Sequence, residues 1–162
     1  MIYAVTLFAV IAIDQITKIY VSAQGPLWEV VVIPNVFSFK YDKNSGAAFS
    51  SFAGTGWAQT FFAVLTFIIL PVLFVVFLRV KNENKWLKTT IILIIAGTIG
   101  NFIDRLVFKE VTDFIYVHFF ANFNVADISL TVGAIMLVFY FVFLDKEALI
   151  PIGKNRKKKA NG

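Results

Sequence analysis

Residues 57–78 read WAQTFFAVLTFIILPVLFVVFL, and no charge occurs anywhere between Asn44 and Leu78. About 20 apolar residues cover the hydrocarbon thickness of a bilayer as a helix. Only a helix or a closed barrel satisfies its own backbone there. The composition of the 162 residues agrees: 59% are apolar, 15% are charged, and the mean hydropathy is +0.79. Soluble domains lie nearer ~45–50% apolar and ~25% charged. A disordered chain, a disulfide-rich secreted domain and an ordinary soluble globule are excluded.

Three more spans flank this one. Residues 1–21 are largely apolar and carry no charged side chain other than Asp14 and Lys18. Val21-Ser22-Ala23 weakly matches a leader cleavage site, but there is no basic start, and a leader has no use for Asp14 and Lys18. Residues 89–103 are short for a span. They reach full length if Trp86 and Leu87 sit at one interface, Lys88 snorkels and residues 102–106 lie at the other. Residues 128–144, extended backwards by Asp127, make the fourth. The fold class expected is an all-α membrane protein: four transmembrane helices with a small extracytoplasmic β-hairpin. One domain is expected over residues 1–153, followed by a basic tail over residues 154–162.

Basic residues in short loops mark the cytoplasmic side. Arg79, Lys81, Lys85 and Lys88 lie between spans two and three. Lys146 and the cluster at residues 154–159 follow span four. Both segments fall on one side, so both termini are expected in the cytoplasm, with residues 22–56 and 104–127 outside. The net charge of +5 sits largely in the tail, which reads as a topology signal or a contact with anionic lipid and gives no reason to expect nucleic acid. With no cysteine and one histidine, thiol catalysis, Cys-based metal centres and multi-His sites are excluded. No metal or cofactor is expected.

The first outer segment carries two β-branched and aromatic runs, residues 28–33 and 36–41, separated by Pro34-Asn35. That pattern predicts a hairpin on the membrane surface. The run Gly46-Ala47-Ala48 after it would let backbone approach closely.

The polar residues of the spans gather at one level. Charges inside a membrane are costly and mark function by default. Asp14 and Lys18 lie in the outer part of span one, Asn101, Asp104 and Arg105 at the outer end of span three, and Asn124 and Asp127 at the outer start of span four. Asp113 lies in the segment joining spans three and four. Asp14 and Lys18, at i and i+4, read as a structural pair in preference to a catalytic one. Arg105 next to Asp104 favours an ionised, positioning Asp104. Asn44, Asn101 and Asn124 serve equally as caps, as interhelical hydrogen bonders or as holders of a peptide backbone. Gly97 and Gly100 allow close helix packing. His118 reads as an interfacial loop residue, since no Gly-x-Ser-x-Gly elbow accompanies it. Asp113 and Asp127, 14 positions apart among apolar neighbours, remain as a pair that could share a proton if they meet. One carboxyl would hold it while the other acts as base.

Five motifs occur in order: Asp14-Gln15-x-x-Lys18, Asn44-x-Gly46-Ala47-Ala48-Phe49, Gly97-x-x-Gly100-Asn101-x-x-Asp104-Arg105, Val111-x-Asp113-Phe114 and Phe123-Asn124-x-Ala126-Asp127. Over essentially its whole length the chain resembles the bacterial lipoprotein signal peptidases (signal peptidase II). The resemblance implies an intramembrane aspartic endopeptidase of the bacterial inner membrane. It would remove the signal peptide of a diacylglyceryl-modified prolipoprotein, cutting on the amino side of the lipidated cysteine. By motif, Asp113 and Asp127 correspond to the catalytic aspartates. Asn44, Asn101, Arg105 and Asn124 correspond to substrate- or inhibitor-contacting positions, and Asp14, Lys18 and Asp104 to supporting ones. The outer hairpin resembles the family's surface β-cradle. Membrane lipids and globomycin-type inhibitors are the other implied partners, and a monomer is expected. Residues 114–126 outside the motifs, His118 among them, carry no such correspondence. The competing readings are a small proton-coupled carrier, against which stands the lack of an inverted repeat, and a non-catalytic assembly subunit, which needs no layer of carboxylates.

Overall fold

The computed structural model describes residues 1–45 and 58–144. The Gly46–Phe49 part of the second motif, Trp57 and the basic tail lie outside them. Among the described residues, four helices are long and apolar enough to cross a membrane. Helix α1 spans Ile2–Gln24, α2 Ala58–Arg79, α3 Lys85–Phe108 and α4 Val125–Phe139, which continues as a π-helical turn, Tyr140–Leu144. Strands β1 (Glu29–Ile33), β2 (Phe37–Asn44), β3 (Val111–Val117) and β4 (Asn122–Phe123) form one antiparallel sheet in the order β1-β2-β3-β4.

Burial is reversed relative to a soluble protein. Phe8, Ile16, Phe67, Phe74 and Ile135 are exposed, while the largest fully buried side chains are Asn124, Thr90, Thr112, Asp14, Asp104 and Asp113. Lipid solvates the apolar exterior, so burying apolar area does not hold such helices together. Close packing and interhelical hydrogen bonds do. Helix α3 is the central element and packs against all three others. Its glycines make this possible. A Cβ on Gly97 would collide with the Ala126 carbonyl oxygen, and one on Gly100 would stand 2.6 Å from Asp14 Oδ2. Gly133 on α4 is equally confined, with Ile94 Cγ1 at 2.7 Å. Helix α2 carries no charge before Arg79. Its buried Thr66 turns its hydroxyl back onto the Phe62 carbonyl at 2.8 Å.

The third span is longer than the apolar run alone. Asn84 caps its start, its side chain accepting from the Leu87 N–H at 3.0 Å, and Lys109 ends it at φ 63°. Lys88 reaches back toward the loop that joins α2 and α3. It is 7% exposed, with Nζ donating to Asn82 Oδ1 at 2.7 Å and lying 4.8 Å from the centre of the Phe77 ring. Those neighbours do for the ammonium what interfacial water would otherwise do.

The expected hairpin is present, turning at Asn35 with φ 57°. The sheet is twice as wide as that hairpin because residues 111–123 add β3 and β4. Register opposes Asp42 to Asp113 and Asn44 to Val111. The sheet therefore carries Asp113 to the end of the bundle where α4 begins.

Candidate active site

Asp113 projects from β3 and is 1% exposed. Its Oδ2 accepts from Asn44 Nδ2 at 3.0 Å and its Oδ1 from Asn124 Nδ2 at 2.7 Å. Asp127 stands in the first turn of α4. Its Oδ1 accepts from Asn101 Nδ2 at 2.7 Å and its Oδ2 from the Asn124 backbone N–H at 3.2 Å. Asn124 thus touches both carboxylates. It is also the N-cap of α4, its Oδ1 accepting from the Asp127 N–H at 3.0 Å, so that Asn124 and Asp127 form a reciprocal capping box. The sequence left capping and interhelical bonding as alternatives for this residue, and it does both.

A layer of charge lies directly beneath. Lys18 Nζ stands 2.8 Å from Asp14 Oδ2 and 3.3 Å from Asp104 Oδ2, all three groups buried. Asp14 Oδ1 accepts from the Ala126 N–H at 2.8 Å, and Asp104 Oδ2 from the Thr112 N–H at 3.0 Å. One carboxylate ties α1 to the start of α4, and the other ties α3 to β3. Gln15 Nε2 completes the layer at 3.1 Å from each of Asp14 Oδ2, Asp104 Oδ1 and the Gly100 carbonyl. The layers meet at Asn101. Lys18 Nζ donates to its Oδ1 at 3.0 Å, and Asn124 Nδ2 donates to the same oxygen at 3.1 Å. A cation on the oxygen fixes the amide's orientation, which leaves Nδ2 directed at Asp127. Lys18, Asp14 and Asp104 therefore bear on the carboxylate pair through Asn101, Ala126 and Thr112.

One sequence expectation shifts, the pairing of Asp104 with Arg105. Asp104 takes its cation from Lys18, because neighbours on a helix point about 100° apart. Arg105 turns to the cavity instead. Its Nη1 reaches the Asn101 carbonyl at 3.4 Å, its guanidinium lies 5.1 Å from the centre of the Phe62 ring, and its buried Nε has no hydrogen-bond partner among the described residues. The roles of Gln15 and Thr112 were not foreseen. Gln15 lies within a quoted motif, but nothing in its spacing shows which acceptors it meets.

A cavity of about 500 Å³ opens over the pair. Asn44, Asn101, Arg105, Asp113 and Asp127 line its polar end, and Val111, Phe123, Ile128, Leu130 and Val132 its apolar side. Burial, with the Asp127 charge adding to it, pushes the Asp113 carboxyl up to about 7, against the pull of the Asn44 and Asn124 hydrogen bonds and the Lys18 charge. His118 does not line this cavity. Its Nδ1 faces the Tyr116 hydroxyl at 3.2 Å. Among the described residues, no three acidic or histidine side chains are grouped to hold a metal ion.

Fold and cavity together define a polytopic membrane protein with a hydrogen-bonded carboxylate pair at the sheet-bearing end of its helices. Residues 6–143 match the family described as signal peptidase (SPase) II. The chain is 42% identical over 135 residues to a lipoprotein signal peptidase of Pseudomonas putida, covering 79% of each. It is 38% identical to that of Pseudomonas aeruginosa strain PAO1, covering 79% of this chain and 80% of the relative. Two solved bacterial membrane enzymes are similar in fold. One, at 33% identity, superposes with a TM-score of 0.77 over 86% of this chain and 87% of its own. The other, at 31% identity, gives 0.76 over 87% and 92%. The chain belongs to the signal peptidase II family. It is a multi-pass bacterial membrane protein and a peptidase.

Proposed function

We propose that the chain removes the signal peptide of diacylglyceryl-modified prolipoproteins by aspartic catalysis, cutting on the amino side of the lipidated cysteine, with Asp113 and Asp127 as the catalytic pair. The observation that carries this reading is Asn124, which holds one oxygen of each carboxylate at the polar end of a single cavity. With Arg79, Lys81 and Lys85 on the cytoplasmic side, the sheet end faces outward. Both described termini then lie inward. A lipidated cysteine is retained in the outer leaflet by its acyl chains, with its signal helix below, so the scissile bond comes to the level of the pair.

The chemistry follows from the two environments. Asp127 takes a proton from the hydrolytic water, whose oxygen attacks the scissile carbonyl carbon. Asp113, with its carboxyl pushed up to about 7, holds a proton near neutral pH and gives it to the carbonyl oxygen. The pair titrates together, so both protonation steps belong to the dyad. The Arg105 guanidinium stabilises the negative charge that builds on the carbonyl oxygen before the Asp113 proton reaches it. Collapse breaks the C–N bond as the hydroxyl formed from the carbonyl returns its proton to Asp113, and the proton taken from water passes from Asp127 to the departing cysteine amine, which restores the pair. The products are a signal peptide ending in a carboxylate and a lipoprotein with a free amino terminus. Asn44 and Asn101 can satisfy substrate backbone groups that would otherwise be unpaired in the membrane. The apolar wall from Ile128 to Val132 suits the acyl chains and the signal helix.

The test is purified protein with a synthetic precursor carrying a diacylglyceryl cysteine. The expected product begins at that cysteine, and the unlipidated precursor is cut far more slowly. An intact precursor, with solute flux in liposomes instead, would make the chain a carrier.

A further inference from the structure

A second cavity, of about 320 Å³, lies on the sheet side of Asp113. It shares Asn44, Asp113, Phe120, Ala121 and Asn122 with the first and adds Asp42 and Tyr116. Asp113 thus stands where two compartments join. The first is largely apolar and runs along α4. The second is lined by a carboxylate, an amide and a phenol, on strands outside the helices. Asp42 lies directly opposite Asp113 in the β2–β3 register, so the two side chains share a sheet face with Cβ atoms about 5 Å apart. Asn122 on β4 reaches across β3 to donate to Asp42 Oδ2, which fixes the Asp42 carboxylate at the wall of this cavity.

We propose that this second cavity receives the residue directly after the lipidated cysteine, and that Asp42 sets a charge preference there. The proposal rests on the peptidase reading and deepens it. A chain cut at the Asp113–Asp127 pair has two sides of opposite character. The signal helix and acyl chains stay in hydrocarbon and belong to the apolar compartment. The mature polypeptide must leave for water, and the polar compartment on the sheet is continuous with the cut site in that direction. Two extended residues span about 7 Å, so the side chain following the cysteine comes within reach of a carboxylate one strand from Asp113. A lysine there meets an opposite charge, a serine a hydrogen-bond acceptor, and a glutamate a like charge.

The test uses three diacylglyceryl precursors that differ only in that residue: Lys, Ser or Glu. The full chain and its Asp42→Asn and Asp42→Lys variants are assayed for kcat/KM in the same lipid–detergent mixture. The wild type should favour Lys over Glu by about tenfold, with Ser between. Asp42→Asn should bring the Lys/Glu ratio close to one, and Asp42→Lys should invert it. Each ratio is taken within one preparation, so a smaller folded fraction in a variant does not alter it. A wild-type ratio near one, or a ratio unchanged in both variants, overturns the subsite while leaving the peptidase standing. Failure of the wild type to cut any of the three overturns the peptidase reading and this inference with it.

Discussion

Replacing Asn124 by alanine should damage the protein in two separable ways. The side chain is 0% exposed. Its Oδ1 caps α4 through the Asp127 N–H, and its Nδ2 donates to Asp113 Oδ1 and Asn101 Oδ1. Loss of an N-cap costs about 1 kcal/mol. Protonated Asp113 and the Asn101 amide are both neutral acceptors, and loss of the bond to each costs about 1 kcal/mol. Together a loss of about 3 kcal/mol in unfolding free energy in mixed micelles is expected for Asn124→Ala, and coupling within the one network these groups form sets the departure from that sum. Asn124→Ser separates the two roles, since serine is as good a cap but cannot reach Asp113 with a second donor. It should recover about 1 kcal/mol and little of the cleavage activity. If serine restores cleavage to the wild-type rate, Asn124 is only a helix cap. If alanine leaves the unfolding free energy unchanged, the network does not contribute to stability as argued.

Other consequences can be checked in the same preparations. Lys18→Met leaves Asp14 and Asp104 buried without their cation and should cost about 3–5 kcal/mol; a loss under about 1 kcal/mol, the range of a solvated surface pair, would contradict the geometry. Gly100→Ala places a methyl group 2.6 Å from Asp14 Oδ2 and 3.0 Å from Ala126 Cβ. Such overpacking costs about 1–3 kcal/mol, and an unaltered melting curve would mean that α1 and α4 are not seated on α3 this closely. The Asp113 carboxyl, pushed up to about 7 from 3.8, contributes stability below pH 3.8 that is lost as pH rises through 7. Asp113→Asn should therefore gain stability relative to the wild type between pH 5 and pH 9, and wild-type cleavage should decline above pH 7 as the acid loses its proton. A stability difference independent of pH would remove the perturbed carboxyl.

The sequence showed the helices and the polar level plainly because both rest on local signals. A charge-free run needs no tertiary information, and Asp14, Lys18, Asn101, Asp104, Asn124 and Asp127 fall at one depth once the spans are drawn. The hairpin was legible from its β-branched runs and Pro34-Asn35. The rest of the sheet was not. Residues 111–117, VTDFIYV, are rich in strand formers, but their partner β2 lies some seventy positions earlier, and long-range pairing leaves no mark in either segment. Asp104 and Arg105 misled because adjacency in a chain is not adjacency on a helix. Gly133 escaped attention because a lone glycine in an apolar span shows its close contact only when Ile94 is in view. Asp42 and Asn122 lie outside the quoted motifs, and it takes the sheet to set them beside Asp113.

The most direct test is mass analysis of a diacylglyceryl precursor incubated with the purified wild type, Asp113→Asn and Asp127→Asn. Each variant should melt as a folded protein, yet cleavage before the cysteine should fall at least about a thousandfold in either one, since neither carboxyl can both accept the water's proton and supply its own. Cleavage at the same bond by either variant, within about tenfold of wild type, would contradict the shared-proton mechanism.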